Sequence, residues 1–207
     1  MSDDIYLNVA MTMPISMANG PGKRAVIWVQ GCTIGCPGCY NAFTHPHVKK
    51  QLIAPSDLAN WVNSIEGIDG ITFSGGEPFE QAEAILKTIR LINYELESPL
   101  SVFIFSGYAL AELESSTDSS VIGLLERVDI LSAGRYIASL RSNDLLWRGS
   151  TNQELHFLSD RYNRDMEKYW LLESPVEELI MSSKEIRRTG FLGTRGPLFS
   201  SFRKITG

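Results

Sequence analysis

Gln30 to Asn41 reads Q-G-C-T-I-G-C-P-G-C-Y-N and contains every cysteine of the 207-residue chain. The three cysteines, Cys32, Cys36 and Cys39, are spaced C-x3-C-x2-C. Thiolates are the usual ligands of iron–sulfur clusters, and three of them can hold three corners of a four-iron cluster. The fourth iron would then have no protein ligand and could bind a cofactor or a substrate directly. The cysteine count therefore favours a catalytic cluster over an electron-carrying ferredoxin, in which cysteines close all four corners.

Three simpler interpretations of this loop compete with a cluster. Free cysteines are often small buried hydrophobic residues, but Gly35, Pro37 and Gly38 make this loop poor core material. A disulfide with one spare thiol is open as well, although nothing marks the chain as secreted. A structural zinc site would need a fourth ligand, which His45 or His47 could supply. A structural zinc site usually takes four protein ligands, whereas the loop itself supplies three, so a cluster is the favoured hypothesis.

The length and composition of the chain indicate one domain, or one domain with an appendage. The first residues, Met1 to Asp4, are acidic and lack the apolar stretch of a signal peptide. No apolar run is long enough to span a membrane. We therefore expect a cytoplasmic protein with neither a membrane nor a nucleic acid as a partner.

Charge is unevenly distributed along the chain, whose formal net charge is −5. From Lys184 to the C-terminus there are six basic residues and one acid, Glu185, so this segment carries +5. Such a basic tail can dock an anionic partner. A solvated surface tail explains the same residues equally well.

Short apolar stretches alternate with helical patterns along most of the chain. Five of these stretches predict strands, at 24–30, 70–74, 100–105, 128–132 and 154–158. Helical patterns predict a helix that begins near Ser56 and further helices over 79–94, 109–114 and 121–127. Residues 1–22 are expected to be irregular, and 177–182 is a further candidate strand. The alternation predicts a parallel sheet with right-handed crossovers.

Polar or glycine-rich motifs follow the predicted strands, at the edge where open α/β sheets and barrels carry their sites. One of them, Gly75-Gly76-Glu77, follows the second strand. Because glycine lacks a Cβ, the backbone can approach a ligand closely, and its amides and the Glu77 carboxylate can bind an amino group and neighbouring polar atoms. Alone, the motif is more often a tight turn between a strand and a helix. A three-cysteine loop about forty residues upstream strengthens the functional interpretation.

Taken together, C-x3-C-x2-C after a first strand and G-G-E-P after a second resemble the radical S-adenosylmethionine enzymes. Further segments resemble the activating proteins of anaerobic ribonucleotide reductase, in the same order: G-P-G-K-R at 20–24, C-P-G-C-Y-N at 36–41, S-G-G-E-P at 74–78, S-G-Y-A-L-A-E-L at 106–113 and W-R-G-S-T-N-Q at 147–153. The cysteine motif is shared by a very large superfamily, whereas C-P-G-C-Y-N and W-R-G-S-T-N-Q are much more specific. The resemblance covers roughly residues 18–158.

The resemblance implies a fold, cofactors and partners. We expect an α/β fold, a partial, open (β/α)6-type barrel of mostly parallel strands, with its core at 1–158 and the cluster loop at 30–41. An irregular C-terminal extension at 159–207 would pack on the core or bind a partner. The cofactors would be a 4Fe–4S cluster, reduced by flavodoxin or ferredoxin, and S-adenosylmethionine. A 5′-deoxyadenosyl radical would then take a hydrogen from a glycine of a large partner enzyme.

The resemblance also implies roles for particular residues. The cluster would be held by Cys32, Cys36 and Cys39. The methionine amino group of S-adenosylmethionine would contact Ser74, Gly75, Gly76 and Glu77. Ser106 would lie near the ribose or the carboxylate of this cofactor, and Arg135 near the carboxylate. Tyr40 and Asn41 would flank the adenine.

Other polar and aromatic residues have less specific interpretations. Surface or packing roles are expected for His45, His47 and His156. A cofactor or partner surface, or simply a turn cap, is expected for Arg148, Ser150, Asn152 and Gln153. The hydrophobic core is expected to contain Trp28 and Trp61.

Two features depart from the resemblance. The activating proteins usually carry an aspartate-glycine pair after the fourth strand, whereas this chain reads Leu131-Ser132-Ala133-Gly134 there. About fifty residues also follow Leu158, near which the relatives end. Three hypotheses therefore stay open: an activating protein for a glycyl radical enzyme, a small radical S-adenosylmethionine enzyme that modifies another peptide or a small molecule, and a zinc-binding module without turnover.

Overall fold

A sheet of seven strands forms the centre of the molecule in a computed structural model that describes residues 5–94, 96–142, 145–165, 167–168, 177–181 and 186–190. The strands are β1 (Leu7–Ser16), β2 (Arg24–Val29), β3 (Gln51–Ile53), β4 (Gly70–Gly75), β5 (Ser101–Ser106), β6 (Ile130–Ala133) and β7 (Glu154–Phe157). The α-helices of the described residues are α1 (Pro55–Asn63), α2 (Ala82–Asn93), α3 (Leu110–Glu114) and α4 (Ser119–Leu125). A separate antiparallel hairpin consists of β8 (Glu177–Met181) and β9 (Ile186–Gly190).

The strands of the sheet lie in the order β3-β1-β2-β4-β5-β6-β7, and the sheet is open. At its centre, β2, β4, β5 and β6 pair in parallel. The outer pairings are antiparallel: β1 with β2 and β3 on one side, and β7 with β6 on the other. The expected open, partial α/β architecture is confirmed. Its parallel part has four strands, and the seven-residue link between β1 and β2 is too short for a parallel crossover, which needs about a dozen residues.

The first strand corrects the expectation that residues 1–22 are irregular. β1 buries Leu7, Val9 and Met13 and pairs along β2. Its polar residues and Pro14 interrupt the alternation of apolar and polar residues that predicts a strand. Two register shifts against β2 also break the two-residue repeat. The five strands predicted downstream are confirmed to within two residues at each end. The candidate strand at 177–182 is confirmed as β8.

The helix boundaries are set by local backbone chemistry. The helix predicted over 79–94 begins at Ala82, because a short 3-10 turn at Pro78–Gln81 comes first. Helix α1 begins at Pro55, with Ala54 as the N-cap residue. Proline suits the first helical position because an N–H there would have no intrahelical partner. In the described part of the chain, no helix has the length and apolarity to cross a membrane.

The two faces of the sheet have different surroundings. Alternate residues of the central strands, such as Ile27, Phe73 and Ile104, pack with the buried sides of the helices in the main hydrophobic core. The residues between them project from the opposite face, where Trp28 and Phe105 line a cleft. The fold therefore leaves one face of the parallel strands for a site.

The guanidinium of Arg24, at the start of β2, is fully buried, and its hydrogen-bond partners are neutral groups. It donates hydrogen bonds to the hydroxyls of Thr72 and Ser101, both at 2.8 Å. It also donates to the carbonyl oxygens of Pro21, Ile71 and Ser101. Burial lowers its pKa to about 10, so it stays charged at neutral pH. Arg24 thus ties β2, β4 and β5 together at their amino-terminal ends.

Replacing Arg24 by methionine is expected to lower the free energy of unfolding by about 2–4 kcal/mol. Methionine fills much of the space of the arginine stem but donates no hydrogen bond, so buried carbonyl and hydroxyl oxygens lose their partner. Urea denaturation followed by circular dichroism measures the change. Arg90→Met, on the exposed side of α2, is the control and should alter stability by less than about 0.5 kcal/mol. An Arg24→Met variant as stable as the parent contradicts this structural role.

Candidate active site

A cleft of about 830 Å³, measured with its open mouth, lies at the carboxyl ends of the parallel strands. The cleft is lined by the cysteine loop, by the turns after β4, β5 and β6, and by the sheet face opposite the helices. Ten of the eleven predicted site residues line it: Cys32, Cys36, Cys39, Tyr40, Asn41, Ser74, Gly75, Gly76, Glu77 and Ser106. The structure brings these residues together, and the role of each remains a prediction.

The cysteine loop follows β2 and presents its thiols to this cleft. Gly35 and Gly38, which separate the cysteines, have φ values of 61° and 75°, in the left-handed region that favours glycine. All three cysteines are free and partly exposed. The two glycine turns let the short loop change direction between cysteines, so that all three thiols line one cleft.

Side chains beside the loop hold both of its ends. The Glu80 carboxylate accepts hydrogen bonds from the backbone N–H of Thr33, at 2.9 Å, and from the Thr33 hydroxyl. The amide Nε2 of Gln30, a residue that is 2% exposed, donates to the carbonyl oxygens of Thr44 and Pro46. The protein itself therefore fixes the course of the loop around the three thiols.

The donor set fits a 4Fe–4S cluster. Cluster ligation uses thiolates. Burial raises the pKa of Cys32, and it raises the pKa of Cys39 to about 11, so these thiols are protonated without metal and lose their protons when iron binds. Within the described residues, no three cysteine, histidine or acidic side chains are grouped to hold a single metal ion. In a cubane, by contrast, each thiolate binds a different iron, and three thiolates leave one iron without a protein ligand.

The Gly75-Gly76-Glu77 turn packs directly against the start of the cysteine loop. The N–H of Gly76 donates to the carbonyl oxygen of Val29 at 2.8 Å, and the N–H of Glu77 donates to that of Gly31 at 2.9 Å. The N–H groups of Gly76 and Glu77 are therefore used inside the protein, and the predicted contact of this turn with the amino group of a ligand, which would need oxygen acceptors, stays a prediction. Gly76 lies so close to Gly31 that an added Cβ would be 2.0 Å from the Gly31 oxygen. The two motifs are thus in direct backbone contact.

The Glu77 carboxylate is 1% exposed and joins the turns that follow β4 and β5. Its Oε1 accepts from the Phe79 N–H at 3.0 Å and from the Ser106 hydroxyl at 2.9 Å, while its Oε2 accepts from the Gly107 N–H at 2.8 Å. Burial raises the pKa of Glu77 to about 7, although these hydrogen bonds oppose the rise. The side chains of Glu77 and Ser106, both predicted to contact a cofactor, are therefore hydrogen-bonded to each other in this structure.

The raised pKa of Glu77 predicts a pH dependence of stability. The folded chain holds this proton up to about pH 7, whereas the unfolded chain releases it near pH 4.5. The resulting stabilisation is full below about pH 4.5 and is lost as the pH rises to about 7. We expect Glu77→Gln, which cannot ionise, to flatten the fall in unfolding free energy of the metal-free chain across this range. Glu83→Gln, on the exposed side of α2, should keep the parent's slope, and a parent-like slope in Glu77→Gln would refute the prediction.

Two tyrosines form an aromatic part of the cleft wall. The rings of Tyr40 and Tyr136 lie edge to face, with centroids 5.3 Å apart, and the Arg141 guanidinium lies 5.3 Å from the Tyr40 centroid. Burial raises the pKa of Tyr40. An added Cβ on Gly149 would lie 2.6 Å from the Tyr40 ring, so the absence of a side chain at 149 makes room for it. Such a wall offers a flat apolar surface next to the third cysteine, where the adenine is predicted.

In the stretch after β6 that lacks the expected aspartate, the side chains make structural contacts. Ser132 lines the cleft, and its hydroxyl donates to the carbonyl oxygen of Trp147 at 2.8 Å. Ala133 belongs to the main hydrophobic core on the other face. Trp147 has a φ of 51°, which is uncommon for a residue with a side chain. Ser132 therefore holds the tryptophan segment at the cleft wall.

The W-R-G-S-T-N-Q segment contains residues that line the cleft and a residue that caps a turn, the two roles expected for it. Arg148 and Gln153 line the cleft. The Gln153 Oε1 accepts from the N–H groups of Gly149 and Ser150, and its Nε2 donates to the carbonyl oxygen of Gly134 at 2.8 Å. Gln153 is thus both a turn cap and a link to the turn that follows β6.

Arg135 lies apart from the other predicted site residues. Its guanidinium pairs with both oxygens of Glu112, at 2.7 and 3.0 Å, and its side chain is half exposed. This hydrogen-bonded pairing raises the pKa of Arg135 and lowers that of Glu112. Arg135 is absent from the described cleft lining, so a cofactor carboxylate would have to compete with Glu112 for it. Its predicted contact remains a prediction.

Several lining residues were not predicted as site residues. Trp28 was assigned to the core; it is 1% exposed and also lines the cleft. Trp28 and Phe105 lie on the same face as Ser74, which the two-residue repeat of their strands could have indicated. His45, expected to have a surface or packing role, lines the cleft too, and burial lowers its pKa. No local signal marked Asn19, which reaches the cleft from the link between β1 and β2.

Residues 18–156 match the family model described as a 4Fe-4S single cluster domain. Because the match covers most of the chain and contains the three-cysteine cleft, the fold and the site define an iron–sulfur protein of the single-cluster class. An anaerobic ribonucleoside-triphosphate reductase-activating protein of Escherichia coli (strain K12) is 30% identical over 158 residues, which are 73% of this chain and 99% of that protein. The protein of this name from Vibrio cholerae is 32% identical over 156 residues, 72% of this chain and 97% of its own length.

The protein of the same name from Enterobacteria phage T4 is 28% identical over 153 residues, 72% of this chain and 93% of its own length. The chain belongs to this family of activating proteins, and the resemblance found in the sequence is confirmed. The crystal structure of QueE from Escherichia coli aligns with 49% of this chain and 53% of QueE, at 17% identity and a TM-score of 0.40.

Proposed function

We propose that the chain is a radical S-adenosylmethionine enzyme that activates an anaerobic ribonucleotide reductase by forming a glycyl radical on it. The observation that carries the proposal is the meeting of the three-cysteine loop and the Gly-Gly-Glu turn at one cleft. The chain also aligns with 99% of an activating protein of that reductase. That coverage favours this function over the modification of another peptide or small molecule, and the single-cluster family match disfavours the zinc module.

Cys32, Cys36 and Cys39 would hold the 4Fe–4S cluster. When bound and reduced, the cluster would supply one electron for cleavage of the C5′–S bond of S-adenosylmethionine into methionine and a 5′-deoxyadenosyl radical. The chain's part is to bind and orient the cofactor and to keep water away. Ser74, on the strand that precedes the Gly-Gly-Glu turn, would contact the amino group of the cofactor.

The walls of the cleft suit a reaction in which a carbon radical must be kept from oxygen and from side reactions. Four aromatic residues, Trp28, Phe105, Tyr136 and Trp147, line the cleft together with polar residues of the turns. Tyr40 and Asn41 would receive the adenine next to the third cysteine. The open mouth of the cleft leaves an approach for a polypeptide loop, and the docked partner would complete the exclusion of water.

The electron would come from flavodoxin or ferredoxin, and the hydrogen atom from the Cα of a glycine in the reductase. Hydrogen transfer to the 5′-deoxyadenosyl radical would give 5′-deoxyadenosine and would leave the unpaired electron on the glycine. The reductase would thus end the reaction as a radical protein.

Anaerobic loading with iron and sulfide, reduction, and addition of S-adenosylmethionine test this proposal. We expect 5′-deoxyadenosine and methionine by chromatography, and a glycyl radical signal in electron paramagnetic resonance when the reductase from the same organism is present. Omission of the reductant or of S-adenosylmethionine should remove both signals. Cofactor cleavage without a glycyl radical would overturn the proposed partner, and a fully loaded, reduced protein that cleaves no cofactor even with the reductase would overturn the reaction class.

A further inference from the structure

The β8–β9 hairpin lies beyond residues 18–156, the region that the family model matches. It belongs to the extension at 159–207, for which two roles were expected: packing on the core or binding a partner. The described part of the hairpin contacts the link between β1 and β2 and reaches the cleft, which Gly190 lines. The contacts therefore connect a segment outside the family match to the candidate site.

The first connection is made by Glu178. Its Oε1 accepts from the N–H of Met17 at 2.8 Å, and its Oε2 accepts from the N–H of Ala18 at 3.2 Å and from the Ser16 hydroxyl. Three donors from consecutive residues therefore converge on one carboxylate. Charged acceptors form stronger hydrogen bonds than neutral ones, so this contact fixes the end of β1 to the hairpin.

The second connection is made by Thr189, which pairs with Glu178 across the two strands of the hairpin. Paired residues on neighbouring antiparallel strands project from the same face, so both side chains reach the same link. Thr189 is 1% exposed, and its Oγ1 accepts from the Nδ2 of Asn19 at 2.9 Å. The Ser16 hydroxyl accepts from the same Nδ2 at 2.8 Å.

Asn19 is 6% exposed and lines the cleft. Both hydrogens of its Nδ2 are used by Ser16 and Thr189, so its amide oxygen Oδ1 is the side-chain atom left to bind, and it has no hydrogen-bond partner among the described residues. The carbonyl oxygen of Asn19 accepts from the Thr72 hydroxyl at 2.8 Å. Thr72 precedes Ser74 by two residues on β4, so the backbone of Asn19 lies beside this strand, on the amino-terminal side of Ser74.

We propose that the β8–β9 hairpin is a wall of the cleft and holds Asn19 as a hydrogen-bond acceptor at the cleft floor, where its Oδ1 receives an O–H or N–H donor of the nucleoside part of S-adenosylmethionine. The ribose hydroxyls and the adenine amine are such donors. Glu178 and Thr189 are positioning residues, since they act on the ligand through Asn19. This inference rests on the proposed function, because it assumes that S-adenosylmethionine occupies the cleft.

The affinity of the anaerobic, cluster-loaded full chain for S-adenosylmethionine, measured by equilibrium dialysis, tests the ligand contact. Asn19→Ala is expected to weaken binding about tenfold, the value of one good hydrogen bond, with the iron content unchanged. Thr189→Val keeps the side-chain shape but removes the acceptor for Nδ2, and it should weaken binding about threefold to tenfold. Thr189→Ser should restore the parent's affinity.

Leu179→Ala is the matched control on the same strand, because Leu179 is 63% exposed and lies next to Glu178 without sharing its contacts. It should bind the cofactor like the parent. Affinities of Asn19→Ala and Thr189→Val that stay within about twofold of the parent would overturn the proposal, because a lost hydrogen bond is worth more than that.

Hydrogen exchange of the metal-free chain tests the docking of the hairpin without any cofactor. Glu178→Ala removes the carboxylate oxygen that accepts from the Met17 N–H and one of the two acceptors of the Ala18 N–H, so the Met17 amide should exchange at least about tenfold faster than in the parent, whereas Leu179→Ala should not change it. Equal exchange in Glu178→Ala and the parent would overturn the proposal that the hairpin docks there as a wall of the cleft. A fully loaded parent that binds no S-adenosylmethionine would overturn the proposed function and the Asn19 contact, while the exchange result still decides the docking.

Discussion

Cys36→Ala is expected to reduce 5′-deoxyadenosine formation to background and to prevent retention of a four-iron cluster. The cleft offers three thiols, and a cubane held by two of them would have two irons without a protein ligand. Iron and sulfide content, visible absorbance and product chromatography measure the loss. Because Cys36 is partly exposed, the unfolding free energy of the metal-free chain should change by less than about 1 kcal/mol.

Pro37→Ala is the control for this substitution, since it changes the neighbouring exposed residue and leaves all three thiols in place. It should keep the cluster and the cleavage of S-adenosylmethionine. A Cys36→Ala variant that retains four irons and forms 5′-deoxyadenosine at the parent's rate would contradict the assignment of Cys36 as a ligand. Parent-like unfolding of both variants in urea would confirm that the loss is chemical and not a loss of fold.

The parallel strands could be predicted because their signals are local. A buried strand such as β2 is a continuous run of apolar residues. Glycine-rich turns directly follow such strands and mark where they end. β1 could not be predicted in the same way, because two register shifts interrupt its alternation, and its pairing with β2 and β3 is a property of the whole sheet. The hairpin partner β9 likewise follows from pairing and not from a pattern of its own.

The site residues also fall into two groups, those that short sequence motifs identify and those whose role depends on distant contacts. The cysteines and the Gly-Gly-Glu turn are short motifs, so sequence could place them at one edge of the sheet. The burial of Glu77 could not be predicted, because its partners Ser106 and Gly107 come from a turn about thirty residues away. Asn19 and Thr189 are 170 positions apart, and only folding brings them together at the cleft. Sequence reasoning therefore found the residues with distinctive chemistry and missed those whose role depends on distant contacts.

Gly76→Ala is expected to abolish the binding of S-adenosylmethionine and to lower the free energy of unfolding by about 3 kcal/mol. An added Cβ would lie 2.0 Å from the oxygen and 2.8 Å from the carbonyl carbon of Gly31. Both are backbone atoms, so no change of rotamer relieves the clash. The turn and the loop would have to separate, which breaks the hydrogen bond from the Glu77 N–H to Gly31 and moves Cys32, the next residue.

Two other glycines separate this clash from general effects of adding a methyl group. Gly67 has a φ of +70° and nothing within 4 Å of a new Cβ, so Gly67→Ala measures backbone strain alone, about 1 kcal/mol. Gly123 lies in α4, where a Cβ would meet only the flexible end of Leu86 at 3.0 Å. Both control variants should keep the iron content and the cofactor affinity of the parent. If Gly76→Ala binds S-adenosylmethionine with the affinity of Gly67→Ala, the cofactor site does not depend on the close contact between the cysteine loop and the turn after β4.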